Sequence, residues 1–181
     1  MLIGLDTGHG GLDSGAVNGS VYEKNINLLI GYQVQHFLLA VGHQVLLTRG
    51  DDSYVSLQER VEKANKAAVD RFISIHVNSC STPSVTGFET WYYTQAAWAL
   101  RTQVALKEAE VGHVDRGVKR CSGYAGNNPS LDGGPLYVLI YTNSPAILVE
   151  CEFLSNDGMR DWLLEESNRK SVAQAIVKSL I

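Results

Sequence analysis

With 181 residues, 45% hydrophobic and 19% charged, the chain has enough apolar material for a sizeable core and is expected to form a single domain over 1–181. A net charge of −4 offers no basic field, and no apolar run approaches the ~20 residues that span a bilayer, so neither nucleic acid nor a membrane is an expected partner. Three cysteines, Cys80, Cys121 and Cys151, lack Cys-x-x-Cys spacing, which argues against a thiolate zinc site and a disulfide framework. One bridge between Cys80 and Cys121, both in loop-like sequence, stays open.

Met1-Leu2-Ile3-Gly4-Leu5-Asp6 lacks the basic and apolar regions and the cleavage site of a secretory signal. It reads as a first strand, Leu2–Asp6, in a protein kept in the cytoplasm of its producer or in a domain excised from an exported one. A Gly-rich turn runs from Gly8 to Gly15. Ile26, Ile30, Val34, Phe37 and Val41 then recur on one face of a helix, with Gly42 where a C-terminus favours a residue without Cβ. Val45–Thr48 reads as a second strand. Ser56-Leu57-Gln58-Glu59 fits a capping box ahead of a helix carrying Leu57, Val61, Ala64 and Ala68.

Phe72–Val77 is apolar enough for a central strand covered on both faces. Gly87–Tyr93 reads as a further strand, Ala96–Ala109 as a helix and Ala146–Val149 as a buried strand. From Asn168 onward, Val172, Ile176 and Leu180 mark a closing helix. The alternation of strands and helices predicts an α/β fold with helices on both faces of the sheet. Cys121–Pro135, rich in Gly, Asn, Ser and Pro, reads as a long surface loop, either a wall of a binding groove or plain decoration.

Ligands of open α/β sheets bind beyond the carboxyl ends of the strands. His9 follows the first strand, His76 ends the central one, Glu150 directly follows Ala146–Val149, and Glu23 opens the first helix. Two imidazoles and a carboxylate suit a catalytic zinc ion, and a second, unligated carboxylate suits a general base. Each residue also has a plainer reading. His9 can serve backbone geometry, Glu23 can complement a helix dipole, and His76 can be a satisfied core histidine. Glu150 is harder to explain that way, because a lone buried carboxylate is costly. His36, His43 and His113 lie away from strand ends and read as bystanders. Trp91, Tyr92 and Tyr93 suit sheet packing better than sugar stacking.

The segment Leu5-Asp6-Thr7-Gly8-His9-Gly10-Gly11-Leu12-Asp13-Ser14-Gly15-Ala16 resembles the opening motif of the zinc-dependent N-acetylmuramoyl-L-alanine amidases. The likeness continues through Glu23-Lys24-Asn25-Ile26-Asn27-Leu28, Leu47-Thr48-Arg49, Ser56-Leu57-Gln58-Glu59-Arg60 and Phe72-Ile73-Ser74-Ile75-His76-Val77-Asn78. It closes with Pro145 to Asn156, and the blocks cover nearly the whole chain in the family's order. The resemblance implies one zinc ion (Zn2+) held by His9, Glu23 and His76, with Glu150 as the catalytic glutamate. It implies a mixed, roughly six-stranded twisted sheet flanked by helices on both faces. The implied reaction is hydrolysis of the amide between N-acetylmuramic acid and L-alanine in peptidoglycan, by a monomer acting on the bacterial cell wall as a phage-type lysin or an autolysin domain.

Two positions depart from the family pattern. Glu152 stands where the family usually has Gly, and strand alternation would put it on the face of Glu150, where it raises that group's pKa unless it turns away. Ile140 follows Tyr137-Val138-Leu139 where the family often has Arg, so a substrate contact is expected to be missing. Two other functions fit the sequence less well. A zinc carboxypeptidase would share the chemistry but release a terminal amino acid. An inactive wall-binding module would be expected to lack one of the four residues.

Overall fold

The computed structural model describes residues 1–110, 114–121 and 136–180. Strands β1 (Leu2–Thr7), β2 (Val17–Asn18) and β3 (Val21–Tyr22) precede helix α1 (Glu23–Ala40). Then come β4 (Gln44–Leu47), α2 (Leu57–Lys66), β5 (Arg71–Asn78), β6 (Phe88–Tyr92), α3 (Ala96–Glu108) and β7 (Asp115–Arg120). The chain continues through α4 (Leu136–Tyr141), β8 (Ala146–Phe153), α5 (Asp157–Leu164) and α6 (Glu166–Lys178). Six strands form one mixed sheet in the order β4-β1-β5-β8-β6-β7, and β2 and β3 make a separate small hairpin. The fold class expected from the sequence is the one observed.

β4, β1, β5 and β8 are mutually parallel; β6 runs antiparallel to β8, and β7 parallel to β6. The start of β6 therefore lies beside the end of β8, and this positions the site. Side chains alternate across the sheet. Ile73, Ile75, Ile147 and Val149 enter one core with Ile26 and Ile30 of α1, Leu106 of α3 and Ile176 of α6. Phe72 and Leu148 enter a second core with Val61 of α2 and Val138 of α4. His76 and Glu150 lie an even number of residues from Phe72 and Leu148, so they belong to the α2/α4 face.

Local rules account for some element ends. Ser56 Oγ accepts the Glu59 amide, and Glu59 Oε2 accepts the Ser56 amide at 2.8 Å, so the capping box is formed. Gly42, at φ +82°, ends α1 by turning into the left-handed region. Several expected details move. Leu38, not Val41, completes the buried face of α1; Val41 lies past the helix at 49% exposure. Ala68 lies past α2, exposed, at φ +49°. β8 does not stop at Val149 but runs to Phe153, so Glu150 lies within the strand. No pattern in the sequence pointed to the β2–β3 hairpin, β7, α4 or α5. All three cysteines are free, which removes the Cys80–Cys121 bridge. Residues 122–135, nearly all of the expected long loop, and His113 lie outside the described residues.

Candidate metal centre

The turn after β1 carries His9 at φ +63°, a left-handed conformation that costs a non-glycine residue about 1–2 kcal/mol. Its Nδ1 bonds Asp13 Oδ2 at 2.8 Å, and its Nε2 lies 3.2 Å from Glu23 Oε2. From β5, His76 Nδ1 lies 3.0 Å from Glu23 Oε1. The two imidazoles meet edge to face, with centroids 4.9 Å apart. A Cβ on Gly8 would stand 2.2 Å from the His76 ring, so β1 approaches β5 this closely only because residue 8 is glycine.

Glu23, in the first turn of α1, does more than favour the helix dipole. Its Oε1 accepts the Val77 amide at 3.1 Å and Asn27 Nδ2 at 3.2 Å; its Oε2 accepts the Ala16 amide at 2.9 Å. Burial pushes its pKa up, but bonds first from His76 and then from His9 outweigh burial and hold it well below the usual carboxylate range. Burial also acts against the His9 charge, and Glu23 and Asp13 outweigh it, so the pKa of His9 is raised. The ligand atoms of His9, Glu23 and His76 all lie within 4.8 Å of one another. Ligands about 2.0–2.1 Å from a tetrahedral zinc ion stand roughly 3.3 Å apart, so the Glu23 spacings of 3.0 and 3.2 Å already match that scale. One carboxylate facing two imidazoles through different oxygens is a donor set that fits zinc.

Glu150 is paired in register with His76 on the neighbouring strand, and Glu89 of β6 is paired with Glu150 on its other side. Glu150 is 8% exposed, and its Oε2 has no hydrogen-bond partner among the described residues. Burial, and then the charges of Glu23 and Glu89, push its pKa well up, while Lys119 pulls the other way. His76 to Asn78 of β5 face Glu150 to Phe153 of β8, a bulge of one residue that breaks the alternation expected from sequence. Glu152 Oε2 accepts the Gly87 amide at 2.7 Å and the Phe153 amide at 3.0 Å.

Beside the imidazoles is a pocket lined by His9, Asp13, His76, Asp6 and Arg60, with apolar walls from Tyr54, Val55, Leu57 and Val138. Asp6 forms its floor, bonded by Thr48 Oγ1 (2.6 Å), Arg60 Nη1 (2.7 Å) and Ser74 Oγ (2.7 Å). Burial raises the Asp6 pKa, but Arg60 and then the two hydroxyls outweigh it and lower it. The structure thus brings together the four residues singled out from sequence. It leaves His36 against Phe37 and His43 beside the chain's first amino group. Trp91, half-buried, gives its Nε1–H to Glu89 at 2.8 Å and packs on the α2/α4 core. Sequence reasoning assigned no role to Asp13, Glu89, Arg49 or Arg60. Asp13, four residues past His9 in the same turn, offered a signal; the others are buried ions whose partners come from distant segments.

Residues 3–181 match the family described as N-acetylmuramoyl-L-alanine amidase. The chain is 37% identical over 177 residues to N-acetylmuramoyl-L-alanine amidase LytC of Bacillus subtilis, covering 95% of this chain and 33% of LytC. It is 36% identical to the endolysin of Bacillus phage SPP1, covering 96% of this chain and 62% of the endolysin. The chain thus spans between one and two thirds of the length of these two relatives. Among solved structures, the catalytic domain of CwlV, an amidase from Bacillus (Paenibacillus) polymyxa, superposes with a TM-score of 0.86 at 33% identity. That match covers 99% of this chain and 95% of that one.

Proposed function

The chain belongs to the N-acetylmuramoyl-L-alanine amidase family, and we propose that residues 1–181 form one catalytic domain that hydrolyses the N-acetylmuramic acid–L-alanine amide of bacterial peptidoglycan with one zinc ion. His9, Glu23 and His76 hold the ion, and Glu150 is the general base. The observation that carries this reading is the convergence of the three ligand groups one strand register from a buried carboxyl whose Oε2 has no hydrogen-bond partner among the described residues. Bound there, zinc acidifies water and polarises the scissile carbonyl.

The chain's own groups do the rest. Asp13 accepts from His9 Nδ1 and turns Nε2 toward Glu23, the orienting role a carboxylate plays behind a ligating histidine. Glu150, whose basicity is raised by burial and by the neighbouring Glu23 and Glu89 charges, takes a proton from the attacking water and returns it to the departing L-alanine nitrogen. Tyr54, Val55, Leu57 and Val138 give the pocket an apolar wall that excludes competing water. The domain acts on the cell wall, as the names of its relatives suggest; among the described residues no helix is long and apolar enough to cross a membrane.

The test is digestion of purified peptidoglycan by the zinc-loaded protein beside Glu150→Ala, with products identified by mass spectrometry. Intact stem peptides with a free L-alanine amino terminus, absent with the variant, are expected. Release of a terminal amino acid instead would assign a peptidase, and no cleavage by a folded, zinc-bound protein would assign a binding module.

A further inference from the structure

Two buried arginines from separate elements converge on the turn that presents His9. Arg49 follows β4 and is 3% exposed; Arg60 lies on α2 and is 2% exposed. Arg49 Nε donates to Thr7 O at 2.8 Å, and its Nη2 donates to Gly8 O at 3.0 Å. Arg60 Nη1 donates to Thr7 O at 2.9 Å, and its Nη2 to His9 O at 2.7 Å. Three consecutive carbonyls are thus held by two guanidinium groups. Arg49 Nη2 also donates to Lys24 O at 2.8 Å, which ties the turn to the first turn of α1, where Glu23 sits. The same side chain therefore spans the segments carrying His9 and Glu23.

Arg60 has a structural partner in Asp6, at 2.7 Å. Arg49 is different: among the described residues its hydrogen bonds go to backbone carbonyls, those of Thr7, Gly8, Lys24 and Asp51. A guanidinium is a rigid planar fork of five donors, suited to bridging carbonyls from separate segments, whereas a lysine ammonium is a single point. His9 needs such support, because its left-handed backbone is not the one it would adopt unaided.

We infer that Arg49 and Arg60 are positioning residues for the metal centre: a guanidinium clamp that holds the His9 turn in ligand geometry and sets it against Glu23. The inference rests on the metal-binding part of the proposed function. Ligand-supporting groups of this kind change metal affinity by about 10–100-fold when removed.

The clamp is tested by the zinc dissociation constant of the whole chain, measured by competition with a chromophoric chelator. Arg49→Met keeps an apolar stem and removes every donor. Arg49→Lys keeps the charge and serves if the first variant does not fold. Leu106→Ala, in the buried face of α3 away from the ligands, controls for lost stability. A loss of about 10–100-fold in zinc affinity is expected for Arg49→Met, a smaller loss for Arg49→Lys, and none for the control at a comparable fall in Tm. Zinc affinity within about twofold of wild type in a folded Arg49 variant, or an equal loss in the control, overturns the clamp. A wild type that binds zinc yet cleaves no peptidoglycan overturns the amidase reading and leaves the clamp standing. A wild type that binds no zinc overturns both.

Discussion

On the β1 side of the site, both oxygens of buried Asp6 are taken, by Thr48 and Arg60 on one and Ser74 on the other. On the β8 side, two strands away, Glu150 is also buried, but its Oε2 has no partner among the described residues. Beside it Glu89, 1% exposed, is bonded by Asn78, Trp91, Arg116 and Lys119. The same residue class is thus neutralised at two positions and left incomplete at the third. A saturated carboxylate holds neighbouring backbone in place, while an unsaturated one in a dry setting stays available for a proton. On the proposed function, the difference separates scaffold from chemistry within one sheet.

Substitution of the incomplete carboxyl gives the largest expected effect. Glu150→Gln should cost about 100- to 10,000-fold in peptidoglycan turnover while zinc content and Tm stay at or above wild type. A large fall in Tm instead would make Glu150 part of the scaffold and erase the contrast. Opening the saturated side should show the reverse. Arg60→Met leaves Asp6 charged and buried, and urea unfolding should lose about 3–5 kcal/mol. Adding Asp6→Asn should recover much of it, and no recovery would mean that Arg60 acts chiefly through the carbonyls of Thr7 and His9.

The two sides should also respond oppositely to pH in the metal-free protein. Asp6 has its pKa lowered by folding, so its stabilisation is full above the ordinary value near 3.8 and is lost as pH falls through the folded value. Glu150 has its pKa raised, so its contribution is full below the ordinary value near 4.5 and is lost as pH rises through the folded one. Tm against pH should therefore fall less steeply on the acid side in Asp6→Asn and flatten on the other side in Glu150→Gln. Coincident curves for both variants would contradict this. Smaller again is Asp13→Ala, which frees the His9 ring and should weaken zinc binding about tenfold by chelator competition, with little change in Tm. Ser56→Ala, at the cap of α2, should cost about 1 kcal/mol of stability and leave zinc affinity unchanged.

What was legible in the sequence followed local rules. Leu2–Asp6 and Phe72–Val77 read as strands because a short, mostly apolar run has few other outcomes, and the Ser56–Glu59 box marked the start of α2 because capping is settled within one turn. His9, Glu23, His76 and Glu150 were singled out as chemistry placed where strands and a helix meet, and the family motif assigned their roles. β7, Asp-Arg-Gly-Val-Lys-Arg, escaped because it is a mostly charged edge strand paired with β6 and its own pattern is that of a surface segment. Alternation alone could not place Glu152 for a related reason: it holds only along a regular ladder, and the pairing with β5 shifts register between His76 and Asn78.

The sequence by itself determined the fold class and most elements and singled out four residues as site candidates, because periodicity, caps and motifs act over a few residues. Only the tertiary structure decided that His76 faces Glu150, that Glu89 is neutralised while Glu150 is not, and that Arg49 and Arg60 share the carbonyls of one turn. Those relations join residues up to 74 positions apart, as His76 and Glu150 are. A buried charge is tolerated only by partners, and partners across such distances exist only once the sheet has put its strands in order.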